Sequence, residues 1–451
     1  MRLIRFLFGV ANYLLSAVAV GALIAYLLIV VGCQKPAPPI PAARPAPVII
    51  DQGPSDEAPI APTVEAEEIQ ETVGPEIARW DAQHGVLNFG YTPNPEATEA
   101  LIRSLPQPTL RGAAPHLFDA RGPPAGPQPG DGAALEVTAP IGDGQPVLLY
   151  RAMVEAFAAT HSGQAWVVGK QGIGDCVGWG HAHGAQCLLA VQWKLSGGGA
   201  WYEVSSEACY GGSRVEARGG GLAGYGDGSY GASAVKFLKN YGAVYRIDYR
   251  TETGNDETDL RVYSSRRAKS WGNFGNGGQP DRATGKLDAI AKLHPVRSIA
   301  LCATFEEAAA AIANGYPVTV CSGQGFSSTR DADGFCRPSG SWSHCMVFVG
   351  VRFDRKGLLC LNSWGPSWVR GPKWPSDQPD GSFWVDEATA TRMLRGRDSW
   401  ALGDQLGFPA RKLNHRQGWG EKPAPVPKVG VRCPRSELLC SPEQRSYPLA
   451  A

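Results

Sequence analysis

The sequence has no excess of charge of either sign: 43 lysines and arginines stand against 42 aspartates and glutamates in 451 residues. A chain that holds nucleic acid through its overall field needs a strong basic excess, so no nucleic-acid partner is expected. Among 11 cysteines no Cys-x-x-Cys occurs, which removes zinc sites built from two such pairs. Proline is scarce outside one region. Of 36 prolines, 21 lie between Pro36 and Pro146, and a stretch so rich in a residue without an amide donor rarely packs a core. Setting that stretch and the apolar N-terminus aside leaves about 300 residues, enough for one large core rather than three domains. An apolar content of 43% with 13 tryptophans excludes a fully disordered chain.

Arg2 and Arg5 precede an apolar run from Phe6 to Gly32, 27 residues long. That exceeds the usual signal core and can span a bilayer with tilt. The two arginines would stay cytoplasmic and the remainder would lie outside, at the cell surface or in the periplasm. Val30-Val31-Gly32-Cys33 also resembles the bacterial lipobox, which makes Cys33 the candidate for lipidation. A plain cleaved signal and a buried soluble helix are the other readings. Residues 34–74 read as a Pro-rich, semi-rigid linker. Residues 75–162 read as a pro-region or an insertion, with helical stretches at Glu96–Leu105 and Leu148–Thr160. An exported location permits disulfides, and Cys433 and Cys440 in the tail are spaced for a local pair.

Three segments carry chemistry. In Gln171-Gly172-Ile173-Gly174-Asp175-Cys176 a glycine-rich turn feeds an apolar run with helical spacing, with Asp175 as its N-cap. Cys176 then falls in the first helical turn, where free amides and the helix dipole favour a thiolate. By itself the same pattern also describes a small buried cysteine. His181 and His183 are badly placed as bases, some 140° and two turns around that helix. A metal shared by Cys176, His183 and Cys187 is a remote alternative. The second segment, Ser343-His344 followed by Cys345–Val351, reads as a buried strand with His344 at its mouth. The third, Leu358–Leu361 followed by Asn362-Ser363-Trp364-Gly365, is the returning strand of a hairpin. The hairpin makes His344 and Asn362 neighbours: Asn362 can hold one ring nitrogen while the other faces Cys176, and Trp364 shields their bond.

These segments resemble the papain-like cysteine peptidases. Asn362-Ser363-Trp364-Gly365 matches that family's motif in full, Trp368 stands where its next tryptophan does, and the likeness runs patchily over residues 163–395. It implies an α+β, two-lobed fold: a helical lobe with the nucleophile helix, and an antiparallel, barrel-like sheet lobe carrying the histidine and asparagine. Residues 163–406 would be the catalytic domain and 407–451 a Pro-containing basic tail. It implies Cys176 as nucleophile, His344 as its ion-pair partner, Asn362 as the group orienting His344, and Gln171 as an oxyanion donor with the Cys176 amide. Gly228, Ser229 and Trp364 would border the substrate. No cofactor or metal is called for. The expected partners are a peptide or protein substrate and, through the N-terminal segment, a membrane; oligomeric state is left open.

The sequence also departs from that pattern. The turn from Gln171 to Cys176 is one residue short and lacks its cysteine, and Gly226 stands where the disulfide partner is expected. Val177 replaces the aromatic residue after the nucleophile, and no inhibitory pro-helix motif is found. His344 and Asn362 lie 168 and 186 residues after Cys176, above the family's usual separation of about 130–150, an excess assigned to insertions around Arg250–Asp288 and Phe326–Trp342. The expected activity is peptide-bond hydrolysis through a thioester acyl-enzyme. A thiol amidase or transpeptidase acting on cell-wall peptides, and a silent papain-like binding module, are the alternatives.

Overall fold

The computed structural model describes residues 61–62, 64–83, 85–105, 145–217, 226–273, 285–406 and the single positions 408, 411, 413 and 419. The apolar run, Cys33, most of the linker and most of the tail lie outside these residues. Among the described residues no helix is long and apolar enough to cross a membrane.

The architecture is α+β. Its helical half is built on α4, Cys176–Leu195, with α3, Tyr150–Thr160, α5, Ser206–Arg214, and α6, Gly231–Tyr241, around it. From Cys176 to Val191 every residue of α4 is buried, so this is a core helix with apolar contacts on all sides rather than an amphipathic surface one. Two of its glycines are required by close approach. A Cβ on Gly180 would meet Cys345, and one on Gly184 would meet Thr319 and Leu402. Each helical glycine costs about 1 kcal/mol in propensity, offset here because it lets α4 lie directly on the sheet.

The other half is a curled sheet in which β5, Val318–Arg330, and β6, Cys336–Arg352, form a long hairpin. Strand β7, Gly357–Leu361, pairs with β6, and β8, Ser382–Asp386, pairs with β7. On the far side of β5 runs β9, Ser399–Gly403, followed by β4, Ser298–Leu301. The stretch 326–342 is therefore the outer half of a hairpin. It is this extension that receives the N-terminal part of the chain.

That part begins within the expected linker. Helix α1, Val64–Val73, precedes a small hairpin of β1, Arg79–Asp81, and β2, Val86–Asn88; β2 adds parallel to β6, Leu87 opposite Trp342 and Asn88 opposite Ser343. Helix α2, Pro95–Ser104, follows, capped by Asn94, whose Oδ1 accepts from the Ala97 amide at 2.8 Å. Strand β3, Val147–Leu148, joins the edge of β6, and α3 packs on α4. Residues 147–160 thus pack on the same sheet and the same central helix as the residues that follow them.

Candidate active site

Cys176 opens α4 and is fully buried. Asp175 occupies the N-cap position but makes no side-chain cap bond; its Oδ2 accepts from the Tyr263 hydroxyl at 2.9 Å, and the same hydroxyl accepts from the Gly172 amide at 3.0 Å. The expected cap thus serves instead to pin the turn Gly172–Gly174 to a loop about ninety residues away. Burial raises the Asp175 carboxyl well above its ordinary value.

His344 stands on β6 opposite Ser322, at the mouth of the buried part of the strand. Its Nε2 and the Oδ1 of Asn362 lie 2.7 Å apart, and that Oδ1 also accepts from the Ser363 amide at 2.7 Å. Oδ1 is therefore an acceptor, Nε2 carries the proton, and Nδ1 holds a free lone pair. Trp364 covers the pair, its ring 4.8 Å from that of His344. Gln171 is tied to the same segment: its amide donates to the Ser363 carbonyl, and its Oε1 accepts from the Ser363 hydroxyl, both at 2.8 Å. His344, Asn362, Trp364 and Gln171 thus lie together in one cluster. Neither His181 nor His183 is hydrogen-bonded to Cys176: His181 Nδ1 meets the Val177 carbonyl at 2.9 Å, and His183 Nδ1 is buried without a partner.

The cleft between the two halves is filled by the chain itself. After β2, Asn88 Oδ1 accepts from the Gly90 amide at 2.7 Å and turns the backbone. This aims the Phe89 carbonyl at two donors, the Gln171 Nε2 at 3.1 Å and the Cys176 amide at 3.4 Å, the pair expected to hold an oxyanion. The Phe89 ring lies 4.9 Å from His344, 4.4 Å from Trp364 and 5.8 Å from Trp342. Beyond it the Ser229 amide donates to the Gly90 carbonyl at 2.8 Å and the Thr92 amide to the Ser229 carbonyl at 2.9 Å, with Tyr91 bridged parallel to Ser229.

Dehydration sets the charge state. Burial drives the His344 imidazole down to about 3, and burial, followed by the neighbouring Cys345 thiol, pushes Cys176 well above its usual value. Nδ1 of His344 makes no hydrogen bond, so the thiol–imidazole bond expected from sequence is not formed in this arrangement. Both groups are therefore neutral.

The loop beside the cleft needs no disulfide. Arg214 holds the carbonyls of Gly226 and Gly228, and the Tyr210 hydroxyl accepts from the Gly228 amide at 3.0 Å. Gly228 is thus occupied by the body, and Ser229 alone offers its amide and carbonyl to the cleft. The Ser229 hydroxyl turns away, 2.6 Å from that of Ser213, so it does not narrow the pocket. All eight cysteines of the described residues are free and buried. Asp227 takes a bond from the Gly174 amide at 3.4 Å and an ion pair from Arg79 of β1 at 2.8 Å. Arg79 is 55% exposed, so this latch is worth only about 0.2–1 kcal/mol. Arg79→Ala in the full chain is accordingly expected to speed alkylation of Cys176 by no more than about fivefold, read by peptide mass mapping.

The Tyr263 loop is anchored on a buried ion cluster. Glu207 pairs with Arg246 at 2.7 Å and Arg267 at 2.8 Å and accepts from the Ser264 amide at 3.0 Å. Burial raises this carboxyl, but Arg246 and then Arg267 outweigh it and hold it at about 2 rather than 4.5. A folded value below the unfolded one means the contribution is complete above pH 4.5 and is lost as pH falls toward 2. Glu207→Gln would strand two guanidinium groups and is expected to cost about 3–5 kcal/mol at pH 7, measured by urea unfolding, with the gap from the parent closing on acidification.

Sequence reasoning missed Phe89, Tyr91, Arg214, Tyr263 and Asp227. The one local signal was Asn88-Phe89-Gly90, a turn pair around an aromatic residue inside a proline-rich region.

No family model matches the chain, and no curated protein does. Among solved structures it is similar to xylellain, a cysteine protease from Xylella fastidiosa, with a TM-score of 0.41 and 14% identity over 70% of this chain and 95% of that one. It is also similar to digestive procathepsin L 3 of Tenebrio molitor larval midgut, with a TM-score of 0.35 and 14% identity over 70% and 83% of the two chains. A third is the proform of Amb a 11, a cysteine protease and major ragweed pollen allergen: TM-score 0.35, 14% identity, 58% and 65% covered.

Proposed function

We propose that the chain is a cysteine peptidase of the papain-like kind, held in a blocked form by its own residues 86–92. The observation that carries the reading is the Phe89 carbonyl resting between Gln171 Nε2 and the Cys176 amide, beside His344 held by Asn362. A carbonyl seated between two converging donors, next to a thiol and an oriented imidazole, is the ground-state geometry of acyl transfer. With the cleft open, Nδ1 of His344 takes the Cys176 proton and the thiolate attacks the carbonyl carbon. The oxyanion rests on Gln171 and the Cys176 amide; His344 then protonates the leaving amine, giving a thioester that water hydrolyses.

The polarity of the blocking segment supports an inhibitory role. His344 protonates the leaving amine, so the C-terminal half of a substrate lies toward His344, Trp342 and Trp364, and the N-terminal half toward Ser229. Residues 86–92 run the other way, from Trp342 to Ser229. Their peptide nitrogen therefore faces away from the acid that would expel it. Such a segment occupies the donors without being cut.

The apolar run Phe6–Gly32 adds a proposal about place: a membrane-anchored enzyme with its catalytic body outside the cytoplasm. The test of the catalytic reading is hydrolysis of an unstructured protein by the full chain carrying Gly90→Val, a change that unseats the segment, against the same chain with Cys176→Ala. Cleavage by the first and not by the second is expected. Equal behaviour of the two would overturn the reading and leave the cleft a binding module.

A further inference from the structure

Two cysteines stand opposite each other in the sheet beneath α4. In the β5–β6 hairpin Cys321 pairs with Cys345, one rung from Ser322 and His344. The Cys321 amide donates to the Asp398 carbonyl at 3.3 Å, away from β6. In an antiparallel ladder this makes Cys321 and Cys345 a non-hydrogen-bonded pair, whose Cα atoms stand about 4.5 Å apart. A disulfide takes Cα atoms about 4.4–6.8 Å apart, so a bridge here needs no shift of register. Both side chains lie on the face turned to α4, where a Cβ on Gly180 would meet Cys345. His181, the next residue of α4, donates from Nδ1 to the Val177 carbonyl at 2.9 Å, and the same N–H faces the Cys345 sulfur at 3.8 Å. Its Nε2 lies 3.3 Å from the Thr319 hydroxyl, so the ring is held on both sides. Both thiols are fully buried. Burial penalises a charge on Cys345, but the Cys321 thiol and the His181 ring outweigh it and hold Cys345 below the ordinary thiol value.

We propose that Cys345 and Cys321 form a peroxide-sensitive modification site: Cys345 is oxidised, Cys321 resolves it, and a cross-strand disulfide locks the hairpin beside His344. The site stands whether or not the cleft cleaves peptides. With hydrogen peroxide as oxidant the steps balance. The Cys345 sulfur attacks one peroxide oxygen; an S–O bond forms, the O–O bond breaks, and the thiol proton leaves with the departing oxygen as water. The Cys321 sulfur then attacks the sulfenic acid; an S–S bond forms, the S–O bond breaks, and the hydroxyl takes the Cys321 proton as a second water. The two thiols lose two electrons and the peroxide gains them. A thiol beside a fixed N–H donor, with a second thiol in reach, is the arrangement of a redox-responsive cysteine. The His344 ring, one rung away, is covered by Phe89 at 4.9 Å, so release of residues 86–92 brings solvent toward the pair. Closing the chain between the two cysteines constrains the unfolded hairpin.

The test treats the full chain, with and without Gly90→Val, with hydrogen peroxide at neutral pH, then unfolds it in iodoacetamide and maps the cysteine peptides. A Cys321–Cys345 link, two hydrogens lighter and reversed by reductant, is expected. It should form at least about tenfold faster than any oxidation of Cys187 and Cys302, which are equally buried, and faster again with Gly90→Val. In Cys321→Ala the sulfenic acid is expected to persist on Cys345, where a cyclic dione traps it. In His181→Leu oxidation of Cys345 is expected to slow about tenfold. The linked protein should unfold about 4–5 °C above the reduced one. Cys321 and Cys345 still free to alkylate after other buried thiols have been oxidised would overturn the proposal, as would a bridge from Cys345 to Cys176. An unfolding midpoint unmoved by the link would overturn the lock. Should either variant not fold, the linkage map of the unsubstituted chain decides.

Discussion

In the full chain, Gly90→Val is expected to raise the rate at which a thiol-directed epoxide labels Cys176 by about 100-fold or more. Gly90 has φ +107, a conformation that side-chain-bearing residues rarely adopt, and a Cβ there would overlap the Gly174 carbonyl. Gly174 cannot yield, because it belongs to the turn that Tyr263 and Asp175 pin and that sets Cys176 in place. Positive φ costs about 1–3 kcal/mol and the overlap about 1–3 more. The Asn88 bond to the Gly90 amide, the Phe89 carbonyl bonds and the Ser229 pairing all depend on this backbone, so the segment leaves as a unit. Water then enters, the burial that holds His344 at about 3 and raises Cys176 is relieved, and Nδ1 can take the thiol proton. Thermal unfolding of the same sample checks that the body stays folded. Labelling at the parent's rate in a folded protein would show that residues 86–92 do not block the cleft.

In that unblocked background Cys176→Ala is expected to remove peptide hydrolysis by on the order of a millionfold in kcat. On the proposed reading the nucleophile and its base act as a unit, so the first loss takes nearly all of the covalent route. Gln171→Ala, by contrast, removes one of two donors and is expected to cost about 10²–10³ in kcat, or about 2.7–4 kcal/mol of barrier. The spacing between these two effects is diagnostic. A pocket that merely binds peptides would respond to Gln171→Ala in affinity and to Cys176→Ala hardly at all. Single-turnover hydrolysis and equilibrium peptide binding, measured on the same variants, separate the two.

Much of the candidate site was legible in the sequence. Cys176 at a helix start, His344 at the mouth of a strand and Asn362 at the end of the next one are positions that local pattern specifies. A glycine-rich turn before an apolar run, and a hairpin with a short connection, bring these groups to element ends without reference to distant residues. The hairpin register, Val347 opposite Leu361, is what carries His344 to Asn362. The N-cap role of Asp175 did not survive, because a half-buried tyrosine from a distant loop competes for the same carboxylate. The pairing of residues 147–148 with the sheet was out of reach for a similar reason. Residues 147–148 contain nothing that marks them as part of the sheet except the free edge of β6 that they cover.

What the sequence by itself determined is the chemistry: the α+β class, and the thiol, imidazole, amide and indole that local periodicity sets at the ends of their elements. Only the tertiary structure decided the state of that chemistry. The Phe89 carbonyl meets Gln171 across 82 residues of chain, and Gly231 meets Asp398 across 167. Pairings at such separation depend on how two halves close over a segment with no periodic pattern of its own. Their consequence, a dehydrated and neutral thiol and imidazole, comes from burial, which is a property of the folded whole.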